Sequence, residues 1–416
     1  MASFLDSLSS IYPPPEDRRP LPSLYNPTAY LFTILPWLIP KSQGRILATL
    51  PILSLLFLLR PYYTSGSHLE DYNSAIYLFC CLTGYLDFQV FSPARSEPEP
   101  RFQGASKVPG SGNHDTNPSG TGIEDCHTLC RRLKFAIRLN TFGRGIGWNW
   151  QVKNVPAITD AKKPKWVYVR GRLGSAIPSF IKKTVAVYLL GATIAVQNHS
   201  DSGTPSYYLL NIAIGWLVAA WAWHSMNFIH DLAAAASVAL GICDRWEWPP
   251  FFGPLEEMWS VRRTWSVTWH QWTRRMLNHP AILLTRLLGL RKGTLLSRYA
   301  QLYLTFLFSL ALHWYLIFNA VRHDVGEFRF FLSQPVIITV EDIVQHGWRR
   351  YTGNSKSDPL TAFERMVGYM WTITWFSICL PPFTQGLIGA RIAGFDAESV
   401  LRMGLQHADD FFLRDL

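Results

Sequence analysis

The clearest chemical signal is a histidine inside an otherwise apolar stretch. Residues 299–321 read YAQLYLTFLFSLALHWYLIFNAV, and His313 is the one Asp, Glu, Lys, Arg or His among them. Polar side chains recur there at intervals of four and share one face of a helix. They are Gln301, Thr305, Ser309 and His313. Such a stripe on a lipid-compatible helix must point into the protein or a wet cavity.

A histidine in this setting has two possible roles. A low-dielectric interior favours the neutral imidazole over imidazolium. A neutral ring with a free nitrogen is a general base, suited to taking a proton from an attacking hydroxyl. Alternatively, His313 only forms a hydrogen bond between helices, and this helix alone does not separate the two.

A second histidine lies in a segment rich in tryptophan and arginine, WSVRRTWSVTWHQWTRR at 259–275. The pattern predicts one amphipathic interfacial helix with indoles toward lipid and bases toward water. One side of this predicted helix carries Trp265, Trp269 and Trp272. His270 lies on another side, near Arg263, Ser266 and Arg274. The arginines would meet either lipid headgroups or phosphates of coenzyme A.

A glycine and tryptophan motif, NTFGRGIGWNWQVKN, occupies residues 140–154. Its glycines permit a tight turn or a close backbone approach. Trp148 and Trp150, with Asn149 between them, could line a groove, although the motif taken alone favours an interfacial loop. No strand or later acidic residue frames it as a dinucleotide site.

The cysteines offer one possible ligand cluster, Cys126-His127-x-x-Cys130. A zinc site would want a second pair at suitable spacing, and the sequence has none, so no metal is expected.

The elements that position these residues are predicted to be membrane helices. The chain is 48% apolar and 16% charged, against about 25% charged in soluble domains. Residues 366–390 lack Asp, Glu, Lys, Arg and His, and 202–230 contain only two histidines. Both runs are long enough to span a bilayer. Shorter candidates lie at 20–40, 46–59, 72–86 and 184–200.

The sequence therefore predicts an all-α, polytopic transmembrane bundle of seven to nine spans. The region 202–243 is too long for one ordinary span and too short for three. A large soluble protein with buried helices is the alternative. The net charge of +10 fits basic cytosolic loops. A nucleic-acid site is not expected, because the basic residues flank apolar segments.

Four regions follow from this pattern, at 1–91, 92–130, 131–395 and 396–416. They are N-terminal spans, a polar and flexible loop, the catalytic core and a C-terminal tail. The loop is rich in Pro, Gly, Ser and charge, a composition that cannot bury a core.

The three motifs together resemble the wax-synthase-like family of membrane-bound O-acyltransferases (MBOAT). Within it, they are most similar to the fungal branch that acetylates meroterpenoids and other secondary metabolites. The matching segments are RGIGWNWQVKN at 144–154, PPFFGPLEEMWSVRRTWSVTWHQ at 249–271, FSLALHWY at 308–315 and FFLSQPVIITVED at 330–342. The resemblance covers about residues 130–390.

The resemblance implies an MBOAT-like fold in the endoplasmic reticulum membrane and a direct transfer of acetyl from acetyl-CoA to a hydroxyl of a lipophilic acceptor. It implies that His313 is the base and His270 its partner, a position where many relatives have Asn. No tightly bound cofactor is expected. Candidate substrate and CoA contacts are Arg144, Gly147, Trp148, Asn149, Trp150, Arg263, Trp269, Gln271, Arg274 and Ser309.

One position departs from the family pattern. Relatives often carry an acidic residue directly after the helix histidine, where this chain has Trp314. The group that orients His313 is then open, with His270 or the Glu341-Asp342 pair as substitutes.

Three other functions fit parts of the sequence. The nearest is a long-chain wax or sterol ester synthase. A proton-coupled transporter could use His224, His230, Asp231 and His313 as a relay, although no inverted halves are evident. A membrane terpene cyclase would want intramembrane carboxylic acids, and the long apolar runs hold only Asp231.

Overall fold

A computed structural model describes residues 11–40, 43–107, 120–141, 143–353, 355 and 358–392. Within these ranges the chain is mainly helical, with connecting segments of different lengths and a pair of two-residue parallel strands, β1 (Arg19–Pro20) and β2 (Tyr63–Thr64). The main helices are α1 (Tyr25–Leu38), α2 (Gln43–Leu59), α3 (His68–Leu86), α4 (Leu129–Thr141), α5 (Lys165–Asn198), α6 (Pro205–Ala239), α7 (Arg274–Leu287), α8 (Leu295–Ala320), α9 (Glu327–Thr352) and α10 (Ala362–Gly389). The predicted all-α class is confirmed.

Five helical stretches of the described chain are long and apolar enough to cross a membrane. They are Gly44–Tyr62, His68–Ala94, Lys165–Asn198, Pro205–Ala239 and Leu295–Ala320. The protein is therefore an integral membrane protein, but these five are fewer than the seven to nine spans expected. Helix α10 contains the charge-free run and does not belong to the five, so the higher number stays a prediction.

The chain divides into two compact units. The histidine unit comprises Met1–Ile158, His270–Asp324 and Phe331–Thr339, and the hairpin unit comprises Thr159–Trp269, Val325–Phe330 and Val340–Leu416. The four regions expected from composition stay a prediction, and the tail at 396–416 lies outside the described residues.

Two very long helices form the core of the hairpin unit. Helices α5 and α6 have 34 and 35 residues, which is about 50 Å each at 1.5 Å per residue. One continuous helix, α6, covers most of 202–243 and exceeds the bilayer core of about 30 Å, which agrees with the expectation that this region is too long for one ordinary span. An ion pair between Arg172 of α5 and Asp231 of α6, at 3.0 Å, joins the two helices.

Helix α8 lies in the histidine unit against α3. The contact is a cluster of buried side chains: Ala75, Leu312, Tyr315 and Leu316. The Tyr315 ring stacks on Phe57 at 3.9 Å, and its hydroxyl donates to the Phe57 carbonyl at 2.9 Å. The helix therefore has a fixed rotation about its own axis, with the side that carries Tyr315 turned toward α2 and α3.

A buried charge network holds the C-terminal end of α8. Arg18 donates to the carbonyls of Asn319 and Ala320, which have no partner within the helix. The Asp71 carboxylate pairs with Arg18 and with Arg60, both at 3.0 Å. Asp71 and Arg60 are fully buried, so the network satisfies charges that water cannot reach.

Removing the shared carboxylate should be costly. We expect Asp71→Asn to lower the free energy of unfolding by about 3–5 kcal/mol, because it leaves buried arginines without their counter-charge. Denaturant unfolding in detergent micelles measures this effect. The neighbouring exposed residue gives a matched control, and Glu70→Gln should change stability by less than about 1 kcal/mol. Equal effects at the two positions would contradict the role of the network.

Candidate active site

One member of the polar stripe of α8 contacts the helix before it, since Thr305 donates to the Asn278 side chain of α7 at 3.1 Å. Gln301 donates to the Ser297 hydroxyl of its own helix at 3.0 Å. The inward orientation of the whole stripe stays a prediction. His313 continues the same face one turn after Ser309.

The His313 ring is held in one tautomer by its own helix. Its Nδ1 lies 2.8 Å from the carbonyl oxygen of Ser309, which can only accept a hydrogen bond. Nδ1 therefore carries the proton, and in the neutral ring the lone pair belongs to Nε2. The residue keeps part of its surface accessible, as a base that must reach a substrate requires.

A buried aromatic ring fixes the remaining freedom of the imidazole. Phe331, which is 4% exposed, stacks on His313 with ring centroids 4.1 Å apart and planes at 28°. Sequence reasoning did not single out Phe331, although it lies in the matching segment 330–342. The residue type gives no signal for this role, because Phe330 and Phe331 are adjacent phenylalanines.

The proposed carboxylate substitutes for an orienting acid have other partners. Glu341 accepts the backbone N–H of Val261 at 2.7 Å, and Asp342 pairs with Arg262 at 3.0 Å. Trp314, in the position where relatives carry an acid, stacks on Phe318 at 5.3 Å. The Ser309 carbonyl is thus the group that orients His313.

The segment 259–275 is not one amphipathic helix, and that prediction is wrong. A three-residue helix, Val261–Arg263, runs into a π-helical turn at Thr264–Thr268, and α7 begins only at Arg274. Trp269 between them is extended, with ψ 150°. The chain breaks here because tertiary partners take its backbone groups: Thr268 accepts the N–H of Gly253 at 2.9 Å.

The indoles and arginines of this segment also have protein partners. The Trp269 ring packs edge-on against Phe252 at 5.2 Å, so lipid is not its main contact. Arg263 donates to Glu257 at 2.6 Å, and Arg274 donates to the Gln271 side chain at 2.7 Å. Substrate or CoA contacts by these residues stay predictions.

His270 lies within electrostatic reach of two other candidate residues. Burial, then the His313 imidazole and the Arg144 guanidinium, lower the pKa of His270 to about 3. The structure thus brings together three residues from three separate motifs. At physiological pH His270 is neutral, so its ring carries one N–H donor while the positive charge of Arg144 acts on it.

The glycine and tryptophan motif forms a tight loop that carries Arg144 to this position. Gly145 and Gly147 have φ values of 60° and 76°, a region that side chains disfavour. Gly147 accepts the N–H of Gln103 at 2.7 Å, and the Asn149 side chain accepts that of Arg101 at 3.0 Å. Described parts of the predicted flexible loop are therefore tied to the motif, while residues 108–119 lie outside the described chain.

The two tryptophans of the motif differ in their surroundings. Trp148 is 1% exposed and packs against Phe135 at 5.1 Å, so it serves the core of the unit. Trp150 is half-buried, lies over Gly145 and stacks obliquely on Trp148 at 6.2 Å. A groove lined by both rings stays a prediction, and the burial of Trp148 favours packing as its role.

The cysteine cluster has no structural sign of metal binding in the described ranges. Cys126 is buried and Cys130 is exposed, and both are free thiols. No group of three or more His, Cys, Asp or Glu side chains suited to a metal occurs among the described residues.

The pKa of His270 makes stability depend on pH. Its folded-state pKa lies below the unfolded value of 6.5, so the unfolded chain binds the proton and stability falls as pH drops below 6.5. Between pH 8 and pH 5 the wild type should lose about 2 kcal/mol more than His270→Asn. Unfolding in detergent at both pH values tests this. Substituting the exposed His346 with Asn should leave the wild-type pH response unchanged, and equal losses in wild type and His270→Asn would contradict the burial of His270.

The loop should not tolerate a side chain at its first glycine. In Gly145→Ala the new Cβ would overlap the Trp150 ring and sit at positive φ. We expect a loss of about 1–2 kcal/mol from the backbone and about 1–3 kcal/mol from overpacking. Gly174 in α5 has no atom within 4 Å of an added Cβ, so Gly174→Ala should be neutral or stabilising by up to about 1 kcal/mol. Similar unfolding midpoints for the two variants would contradict the tight-loop geometry.

Comparison with known proteins shows that the chain is similar to membrane acyltransferases. The sequence profile described as "Membrane bound O-acyl transferase family" matches residues 248–333, which contain His270 and His313. Acetyltransferase ple2 of Rhodocybe pseudopiperita is 27% identical over 92% of this chain and 95% of its own length. Acetyltransferase sirH of Leptosphaeria maculans is 27% identical over 79% of this chain and 81% of its own length.

A third relative differs in its name. O-Mevalon transferase yanI of Aspergillus niger is 28% identical over 60% of each chain. No solved structure matches the chain significantly. The apolar helices, the profile match and the near full-length relatives are together the features of an integral membrane acyltransferase, similar to the membrane-bound O-acyl transferase family and to fungal proteins named acetyltransferases.

Proposed function

We propose that the protein transfers acetyl from acetyl-CoA to a hydroxyl of a lipophilic secondary metabolite of the meroterpenoid or terpenoid class. The observation that carries this proposal is the tautomer of His313, whose Nδ1–H is held by Ser309 so that Nε2 keeps its lone pair. The acceptor class and the endoplasmic reticulum as its site rest on the resemblance to the fungal branch.

The transfer requires one base and one stabilised oxyanion. His313 Nε2 takes the proton of the acceptor hydroxyl as the oxygen attacks the thioester carbonyl. His270 donates an N–H to the developing oxyanion, and the positive charge of Arg144 favours the same anion. The carbon–sulfur bond then breaks, and the CoA thiolate leaves readily because a thiol has a pKa of about 8.5. The His313 imidazolium returns its proton to the thiolate, so the enzyme is restored without a covalent intermediate.

The acyl group is the part of the proposal with a specific rival. Of the three relatives described above, two are named acetyltransferases and one is named an O-mevalon transferase. The transferred group that their names give therefore differs between related chains. A long-chain wax or sterol ester synthase is the other alternative. Incubating microsomes that contain the protein with acetyl-CoA or palmitoyl-CoA and a lipophilic alcohol separates them. Product from palmitoyl-CoA alone would overturn the acetyl proposal.

Removing the imidazole of His313 tests its role as the general base. We expect His313→Ala to lower product formation by about 10²–10⁴-fold while the protein still inserts into the membrane, because general-base catalysis contributes that much. The assay is product per amount of membrane-inserted protein. His346→Ala, a change at an exposed histidine of α9, should leave turnover unchanged. Turnover of His313→Ala near that of the wild type would remove His313 from the mechanism.

A further inference from the structure

A single buried carboxylate outside the proposed chemistry receives three side-chain donors from two segments of the histidine unit. Asp87, in the π-helical turn Asp87–Phe91 that follows α3, is 3% exposed. His279 Nδ1 donates to it at 2.7 Å, Arg275 donates through Nε and through Nη2 at 3.4 Å, and Ser92 donates its hydroxyl at 3.4 Å. A π-helical turn is rare and is frequently found at functional sites.

The Asp87 carboxylate holds the start of α7, the helix that follows His270. Arg275 and His279 are four residues apart on α7 and therefore share one face. Helix α7 begins at Arg274, four residues after His270. Both donors lie in its first two turns, so Asp87 fixes where this helix starts and how it is rotated. The short linker leaves His270 little freedom once α7 is held.

The same interaction reaches the loop that carries Arg144. The Arg275 guanidinium lies 4.9 Å from the ring centroids of both Trp150 and Phe88. Trp150 in turn lies over Gly145, the residue directly after Arg144. Asp87 orients Arg275 through two nitrogens, and Arg275 positions the ring on which the loop folds. The start of α7 and the loop at 144–150 are thus both held through Asp87.

We propose that Asp87 is a positioning residue that holds α7 and the loop at 144–150 so that His270 and Arg144 face the same reacting centre. The inference rests on the proposed function, since it assigns Asp87 a purpose in that reaction. Asp87 itself does not touch substrate. A displacement of about 1 Å at a reacting group can reduce rate by about 10²-fold, which is the effect that loss of the anchor should have.

The primary test compares two buried carboxylates that each pair with arginine. Asp87→Asn keeps the shape of the side chain and removes its charge. We expect kcat with acetyl-CoA to fall about 10²-fold with less than about a threefold change in KM for the donor. Asp231→Asn, which breaks the Arg172 pair of the hairpin unit, is the matched control and should change kcat by less than about threefold. A purely structural role would reduce the amount of folded protein in both variants without this selective loss of kcat.

A second variant tests the route through Arg275. Arg275→Lys keeps the charge but loses the planar fork, so kcat should fall about tenfold even if Asp87→Asn folds poorly. In the double variant Asp87→Asn/Arg275→Lys the losses should not multiply, because both changes break one interaction. Multiplying losses, or wild-type kcat in Asp87→Asn, would overturn the proposal.

Hydrogen–deuterium exchange gives a readout that needs no substrate. Exchange of backbone amides at 144–153 and 270–279 should accelerate in Asp87→Asn and stay at the wild-type rate in Asp231→Asn. Unchanged exchange in Asp87→Asn would refute the anchor. If the wild type transferred no acyl group from any CoA thioester, the proposed function would fail, and the exchange experiment would still decide whether Asp87 holds these segments.

Discussion

The hydrogen bond from His313 Nδ1 to the Ser309 carbonyl determines what the half-buried imidazole can do. That carbonyl belongs to the preceding turn of the same helix, and its oxygen has two lone pairs, so it accepts the ring proton as well as a backbone N–H. The tautomer is therefore set locally, without a carboxylate. This explains how Trp314 can occupy a position that is often acidic in the family, since the ring already has its partner and Phe331 limits its rotation.

The electrostatics around this ring favour an anion that appears only during reaction. A neutral His270 and the Arg144 guanidinium lie close enough to interact. A neutral imidazole beside a cation is poorly suited to bind a proton at rest. In the proposed reaction this pair would stabilise a tetrahedral intermediate, because an N–H donor and a fixed positive charge favour its negative charge. Such a site stabilises the transition state more than the substrates, which is what accelerates a reaction.

Elsewhere in the histidine unit, buried arginines are matched to single carboxylates that connect distant segments. Asp71 joins the N-terminal segment to the end of α8, and Asp87 joins the end of α3 to the start of α7. Each carboxylate accepts several donors, so its charge is compensated in a low-dielectric environment. Several of the basic residues that give the chain its net positive charge are therefore paired inside the protein. There they hold separate segments of the chain together.

Much of the fold and part of the site followed from the sequence alone. The absence of charge in long runs predicted the apolar helices, because a bilayer excludes charge whatever the tertiary contacts. The four-residue spacing of Gln301, Thr305, Ser309 and His313 predicted an inward face, because that periodicity is a property of the helix itself. The tertiary structure decided the rest. The pattern at 259–275 suggested one helix, but the Thr268 carbonyl accepts the N–H of Gly253 from another part of the chain, and Trp269 is extended. Only folding brought Arg144, His270 and His313 within electrostatic reach, since contacts across such separations depend on how helices pack and not on any local period.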